Sequence, residues 1–88
     1  MRTLSVTRDA YKFVEDLQAK QFRQVWMKAL SLLNDPTPSD SAQLKGYDYY
    51  RADVGEYRIV YEFDTQTVSL ILIAKRNDNE VYKALKRK

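Results

Sequence analysis

Cysteine and histidine are both absent from this chain of 88 residues. Without cysteine there are no disulfides, no thiolate metal site and no cysteine nucleophile. Without histidine the chain lacks the side chain best suited to proton transfer near neutral pH, and the commonest zinc ligand. Any catalysis must run on Arg, Lys, Tyr, Asp or Glu. Long hydrophobic runs are missing too. The longest, Val68 to Ala74, is far too short to cross a bilayer. The start, Met1-Arg2-Thr3-Leu4-Ser5-Val6, has no apolar stretch of the signal-peptide kind. These features predict a soluble, cytoplasmic protein with no membrane partner, built as a single domain over residues 1–88.

What is present is a modest core and a skewed charge distribution. Hydrophobic residues make up 44% of the chain, enough for one small core. Fifteen Lys and Arg against twelve Asp and Glu give a net charge of +3, which is only mildly basic. Their placement says more. From Lys75 onward the chain holds Lys75, Arg76, Lys83, Lys86, Arg87 and Lys88 against Asp78 and Glu80.

Periodicity separates the chain into two halves. Leu4 and Val6 alternate with polar residues and predict a strand over residues 2 to 6. Thr7 or Asp9 can cap a helix carrying Ala10, Phe13, Val14 and Leu17 on one side. Phe22, Val25, Trp26, Ala29, Leu30 and Leu33 repeat the pattern on a longer helix, ended by Asn34-Asp35-Pro36-Thr37-Pro38. Both apolar stripes read as core of a helical hairpin. Tyr47 to Val54 and Tyr57 to Phe63 then read as strands joined by Gly55-Glu56, with glycine placed for a type II′ turn. Asp64 to Thr67 makes the next turn. Val68 to Ala74 is apolar enough to be a central strand buried on both faces. Asn77 followed by Glu80 resembles a capping pair for a last helix with Val81 and Leu85 inward. The order β-α-α-β-β-β-α predicts an α+β fold, a helical hairpin on one face of a mostly antiparallel sheet.

The hairpin loop sets the parity of its strands. With Gly55 and Glu56 in the loop, Val54 opposes Tyr57, Asp53 opposes Arg58, Ala52 opposes Ile59 and Arg51 opposes Val60. One face then carries Ala52, Val54, Tyr57, Ile59, Tyr61 and Phe63, and is the core face. The other carries Arg51, Asp53, Arg58 and Glu62, with Val60 among them. That second face is either a solvated surface with an exposed Asp53–Arg58 pair of little energetic consequence, or a site for a phosphodiester, which guanidinium forks suit. Arg76 closes the central strand, and Tyr82 lies one position off the Val81/Leu85 stripe. Tyr47, Tyr49 and Tyr50 precede the arginines. Aromatics interleaved with basic residues can stack on RNA bases, but they are also ordinary strand formers.

Taken together, Leu44-Lys45-Gly46, Tyr49-Tyr50-Arg51, Gly55-Glu56-Tyr57-Arg58-Ile59-Val60-Tyr61, Ala74-Lys75-Arg76 and Glu80-Val81-Tyr82 resemble the signature of the RelE/ParE toxin superfamily, in its order. The last two match the closing motif of its RelE branch. The resemblance covers essentially the whole chain. It implies the toxin of a type II toxin–antitoxin pair, a metal-independent endoribonuclease that needs no cofactor. Such an enzyme cuts mRNA in the ribosomal A site through attack of the 2′-hydroxyl on the adjacent phosphate.

It further implies that Arg58 stabilises the transition state and that Arg76 serves the leaving oxygen. Tyr82 would position the nucleotide, and Arg51 would be the first basic residue of the preceding strand. Lys45, Lys75, Lys83 and Lys86 are the basic residues placed to hold RNA. Where RelE has a second strand lysine, this chain has Asp53, so the general base is open among Asp53, Lys75 and Tyr82. The implied partners are mRNA, ribosomal RNA and a cognate antitoxin with an acidic tail, in a hetero-oligomer. The rival reading is a ParE-like toxin that poisons gyrase and cuts no RNA.

Overall fold

The computed structural model describes residues 2–76 and 80–86. The elements run β1 (Thr3–Val6), α1 (Arg8–Glu15), α2 (Ala19–Ser31), β2 (Ser41–Gln43), β3 (Tyr50–Val54), β4 (Tyr57–Phe63), β5 (Thr67–Lys75) and α3 (Glu80–Lys86). They form one five-stranded sheet in the order β1-β5-β4-β3-β2. β1 runs parallel to β5, and every other neighbouring pair is antiparallel. The α+β arrangement expected from the sequence is present, with one strand added. β2 is a three-residue polar edge, Ser-Ala-Gln, paired to β3. It has no alternating apolar signal, so only the pairing itself defines it. The strand expected to begin at Tyr47 begins at Tyr50, because residues 45–48 are spent on a turn in which Gly46 has φ +84°. Of the expected Asn77–Glu80 capping pair, Glu80 opens α3 and Asn77 lies outside the described residues.

Local chemistry accounts for the joints. Thr7 caps α1, accepting from the Ala10 N–H at 3.2 Å, while its own hydroxyl donates to the Ile71 carbonyl at 2.7 Å. A single threonine thereby ends β1, starts α1 and fastens both to β5. Gly55 sits at φ +57°, the positive φ that a primed hairpin turn requires in its first loop position. The resulting register pairs Asp53 with Arg58 and Val54 with Tyr57, as the loop length predicts. Asp64 accepts from the N–H groups of Gln66 and Thr67 and so closes the β4–β5 turn.

β5 is an interior strand between β1 and β4, with β4 at the centre of the sheet, and a bulge lets it reach buried clusters on both faces. Val60 pairs with Leu72 while Tyr61 pairs with Leu70, so Ile71 is an extra residue. Parity flips there. Val68, Leu70 and Ile73 join the core under α1 and α2, with Ala10, Val14, Val25, Ala29, Leu32, Ala52, Ile59 and Tyr61. Leu72 and Ala74 turn to the opposite face. Tyr61 is fully buried, and its hydroxyl donates to the Pro36 carbonyl at 2.5 Å, tying the loop after α2 to the sheet.

Not all of the α2 stripe is core, contrary to expectation. Val25, Ala29 and Leu32 are buried, whereas Phe22 and Leu30 are 40% and 37% exposed and Met27 is 60% exposed. Phe22, Trp26 and Leu30 form a row at four-residue spacing, beside the row that faces the sheet. A helix lying on a sheet covers only one such row. Phe22 and Trp26 stack on each other, with centroids 6.1 Å apart. Among the described residues no helix is long and apolar enough to cross a membrane.

Candidate functional site

The sheet face away from the helical hairpin is not bare. Leu44, Val60, Leu72, Ala74, Val81 and Leu85 form a second buried cluster there, capped by α3 and the loop before β3. Val60, which looks misplaced among charged residues in sequence, is its fully buried centre. α3 therefore divides this face into an apolar part beneath it and a charged part toward the β3–β4 turn.

The charged part is a set of arginines around one carboxylate. Arg58 Nε donates to Asp53 Oδ1 at 2.8 Å, and Arg58 Nη2 donates to Oδ2 at 3.3 Å. Arg51 Nη1 stands 3.5 Å from Asp53 Oδ2, so its contribution is mainly Coulombic. These side chains are only 21–31% exposed. The pair is more sheltered than the solvated surface pair that the pattern also allowed. Burial pushes the Asp53 carboxyl up, but the Arg58 hydrogen bond and the charges of Arg58, Arg51 and Arg76 together outweigh it. The carboxyl is held below its ordinary range. Arg76 reaches this neighbourhood because its N–H donates to the Glu56 carbonyl at 3.1 Å, docking the end of β5 against the hairpin loop. Arg51, Arg58 and Arg76 thus converge on Asp53, and three cations around one anion leave the cluster positive.

The other predicted residues are distributed differently. Lys75 pairs with Tyr57, and Arg58 pairs with Ala74. Directly opposed residues share a face, so Lys75 lies on the helical-hairpin side, while Arg76, just past the end of β5, adds its charge to Asp53. Lys45 is exposed in the turn before β3, and Lys83 and Lys86 are exposed on α3. Tyr82 is half-buried, with its ring 6.1 Å from that of Tyr47. Tyr47 in turn lies parallel to Tyr49, within 4° at 6.3 Å. The row Tyr49–Tyr47–Tyr82 was not assigned from sequence. Tyr82 was expected at the site, and Tyr47 and Tyr49 were noted only as aromatics clustered before the arginines, which strand propensity explains equally well. Arg87 and Lys88 lie outside the described residues.

The backbone has close counterparts among solved structures. The isolated Escherichia coli RelE toxin matches with a TM-score of 0.73 at 28% identity, covering 99% of this chain and 98% of that one. The archaeal RelE–RelB complex from Pyrococcus horikoshii matches with a TM-score of 0.76 at 21% identity, over 86% of this chain and 96% of that one. The intact Escherichia coli RelBE toxin–antitoxin complex matches with a TM-score of 0.73 at 24% identity, over 89% and 100%. No protein of curated function matches in sequence. The sequence profile described as the ParE toxin of the type II toxin–antitoxin system parDE matches residues 3–80. With that match spanning nearly the whole chain and the fold of RelE, this protein belongs to the ParE toxin family and is a RelE-like toxin of the RelE/ParE superfamily.

Proposed function

We propose that this toxin is a metal-independent endoribonuclease acting in the cytoplasm, cutting mRNA in the ribosomal A site. The observation that carries the reading is the convergence of Arg51, Arg58 and Arg76 around Asp53 on the face opposite the helical hairpin. In-line attack of a 2′-oxygen on the adjacent phosphorus forms the 2′-O–P bond and breaks the P–O5′ bond. The products are a 2′,3′-cyclic phosphate and a 5′-hydroxyl. Negative charge accumulates on the phosphoryl oxygens and then on the 5′-oxygen. Arg58 has five N–H donors and spends two on Asp53, so others remain for a phosphate. Asp53 fixes the guanidinium plane in advance, which is the condition for electrostatic catalysis. Arg76, beside it, meets the charge on the leaving oxygen.

Asp53 is an orienting residue in this scheme. A carboxyl held low by arginines is a weak proton acceptor. Lys75 stands on the other face. With Asp53 held low and Lys75 turned away, the candidate base that is left is Tyr82, which lies on the arginine side with its ring beside that of Tyr47. Lys83 and Lys86, exposed on α3, hold RNA phosphates. Lys45, exposed on the loop before β3, does the same.

The family profile favours a second reading, a ParE-like toxin that traps gyrase. One experiment separates the two. The purified protein is incubated with translating ribosomes, with naked RNA and with gyrase on supercoiled DNA. Cuts within the A-site codon that leave cyclic phosphates support the nuclease. Intact RNA with gyrase-linked DNA breaks overturns it. In either case we assign an antitoxin as partner, because similar folds occur in RelE–RelB complexes. The apolar strip of Phe22, Trp26, Met27 and Leu30 on α2 suits an amphipathic antitoxin helix, and the arginine face suits its acidic tail.

A further inference from the structure

A hollow of about 660 Å³ opens on the arginine side of the sheet, lined by Gly46, Tyr47, Asp48, Tyr49 and Glu62. Its floor is preformed. Leu44, just before the turn, is fully buried. The turn is closed by the Leu44 N–H on the Tyr49 carbonyl at 2.8 Å and the Tyr47 N–H on the Leu44 carbonyl at 3.2 Å. Tyr47 and Tyr49 pack against the second buried cluster and present parallel rings. Glu62 and Asp48 bring carboxylate acceptors, and neither is used by the chemistry proposed above.

We propose that this hollow is a nucleobase subsite, stacking a base on Tyr47 and Tyr49 and selecting guanine through the carboxylates of Glu62 and Asp48. The inference rests on the reading of the toxin as an RNA-cutting enzyme. Stacking on aromatic faces is the usual way a protein holds an unpaired base, and it is indifferent to which base is held. The acceptors supply the choice. Guanine has two adjacent donors, N1–H and the N2 amino group, spaced for the two oxygens of a carboxylate. Adenine and cytosine place an amino donor beside a ring acceptor. Uracil has one donor between two carbonyls, which a carboxylate repels.

Charge decides what else can enter. Two carboxylates exclude a phosphate, so a strand bound across this face puts its phosphates at the arginines and a base in the hollow. A cationic side chain of a protein partner would also suit aromatic rings and carboxylates, but the net positive charge of the arginine cluster on the same face disfavours it. Among the described residues no His, Cys, Asp and Glu side chains are grouped to hold a metal ion. Glu62 is four residues along β4 from Arg58, about 13 Å at roughly 3.3 Å per residue. The base selected therefore belongs to a nucleotide near the scissile phosphate rather than at it.

The test is a titration of the purified toxin with guanosine, adenosine, cytidine and uridine, followed through the ring NMR signals of Tyr47 and Tyr49. We expect guanosine to bind about five-fold or more tightly than uridine, the lower end of what one bidentate base contact discriminates. Glu62→Gln should erase that ratio, and Tyr47→Ala should weaken all four nucleosides together. Equal binding of guanosine and uridine, a ratio that survives Glu62→Gln, or tighter binding of acetyl-arginine amide than of guanosine would each overturn the subsite. Nucleoside binding needs no cleavage, so the two readings fail separately. Guanosine selectivity in a protein that leaves RNA uncut upholds the subsite and removes the nuclease. RNA cutting without nucleoside selectivity removes the subsite alone.

Discussion

Arg58 and Asp53 are direct cross-strand partners on β4 and β3, and two nitrogens of the guanidinium reach both oxygens of the carboxylate. The pair is sheltered, and Arg51 and Arg76 add their charge to the same carboxylate. Cross-strand opposition sets the spacing, and the Gly55-Glu56 loop sets the opposition. A local turn thereby aims the arginine on which the proposed chemistry depends.

Arg58→Ala should abolish toxicity in cells lacking the antitoxin, because it removes the donors nearest the proposed phosphate. Loss of one such donor lowers kcat by roughly 10²–10³-fold in well-studied cases. The fold should persist, since Arg58 lies outside both buried clusters. Growth arrest and circular dichroism measure the two effects. A fully toxic Arg58→Ala protein would refute the site. Arg76→Ala should also lose cleavage with little change in Tm, whereas Lys75→Ala, on the opposite face, should retain most of it.

Asp53→Asn distinguishes an orienting residue from a base. We expect a loss below about ten-fold in single-turnover cleavage, against the 10²–10⁴-fold typical of a lost general base. The same variant should change acid stability. A carboxyl whose folded pKa lies below its ordinary 3.8 stabilises the fold above that value, and the contribution is lost as pH falls through the folded pKa. Stability should therefore drop as pH is lowered from about 4, and Asp53→Asn should flatten part of the drop. Asp64, lowered by the N–H groups of Gln66 and Thr67, keeps the remainder. Denaturant unfolding between pH 2 and 6 reads the difference.

Tyr61→Phe should destabilise the protein without touching the site. It deletes the hydroxyl that donates to the Pro36 carbonyl and leaves that carbonyl short of a partner. The cost is about 1 kcal/mol, or about 4–8 °C in Tm for a domain of this size. An unchanged Tm would show that the loop after α2 is held by other contacts.

Antitoxin binding should respond to two surfaces in two ways. Charge reversal of Lys83 and Lys86 should slow association and flatten its salt dependence, as expected when complementary charge steers encounter. Met27→Asp, in the exposed α2 strip, should instead speed dissociation by ten-fold or more while leaving Tm nearly unaltered. Surface plasmon resonance against the cognate antitoxin separates the two rates. If dissociation from Met27→Asp equals wild type, the strip is not where the antitoxin docks.

Period and turn chemistry, which are local, determined the helical hairpin, the β3–β4 register and the shared face of Arg51, Asp53 and Arg58. The nearly all-apolar run Val68–Ala74 also announced a strand covered on both sides. Tertiary structure decided what depends on which surfaces meet. β2 exists only because polar residues 41–43 fall against the edge of β3. The Ile71 bulge divides β5 between two cores, which strict alternation could not foresee. Phe22 and Leu30 stay exposed, with Trp26 half-buried between them, because a helix resting on a sheet buries one row and leaves its neighbour to solvent. That Lys75 faces away from the site follows from its pairing with Tyr57, and the tyrosine-lined hollow from the turn at residues 45–48 meeting Glu62 of β4. A strand's period can be read along the chain, but the partner that covers each face is set by the energy of bringing distant segments together.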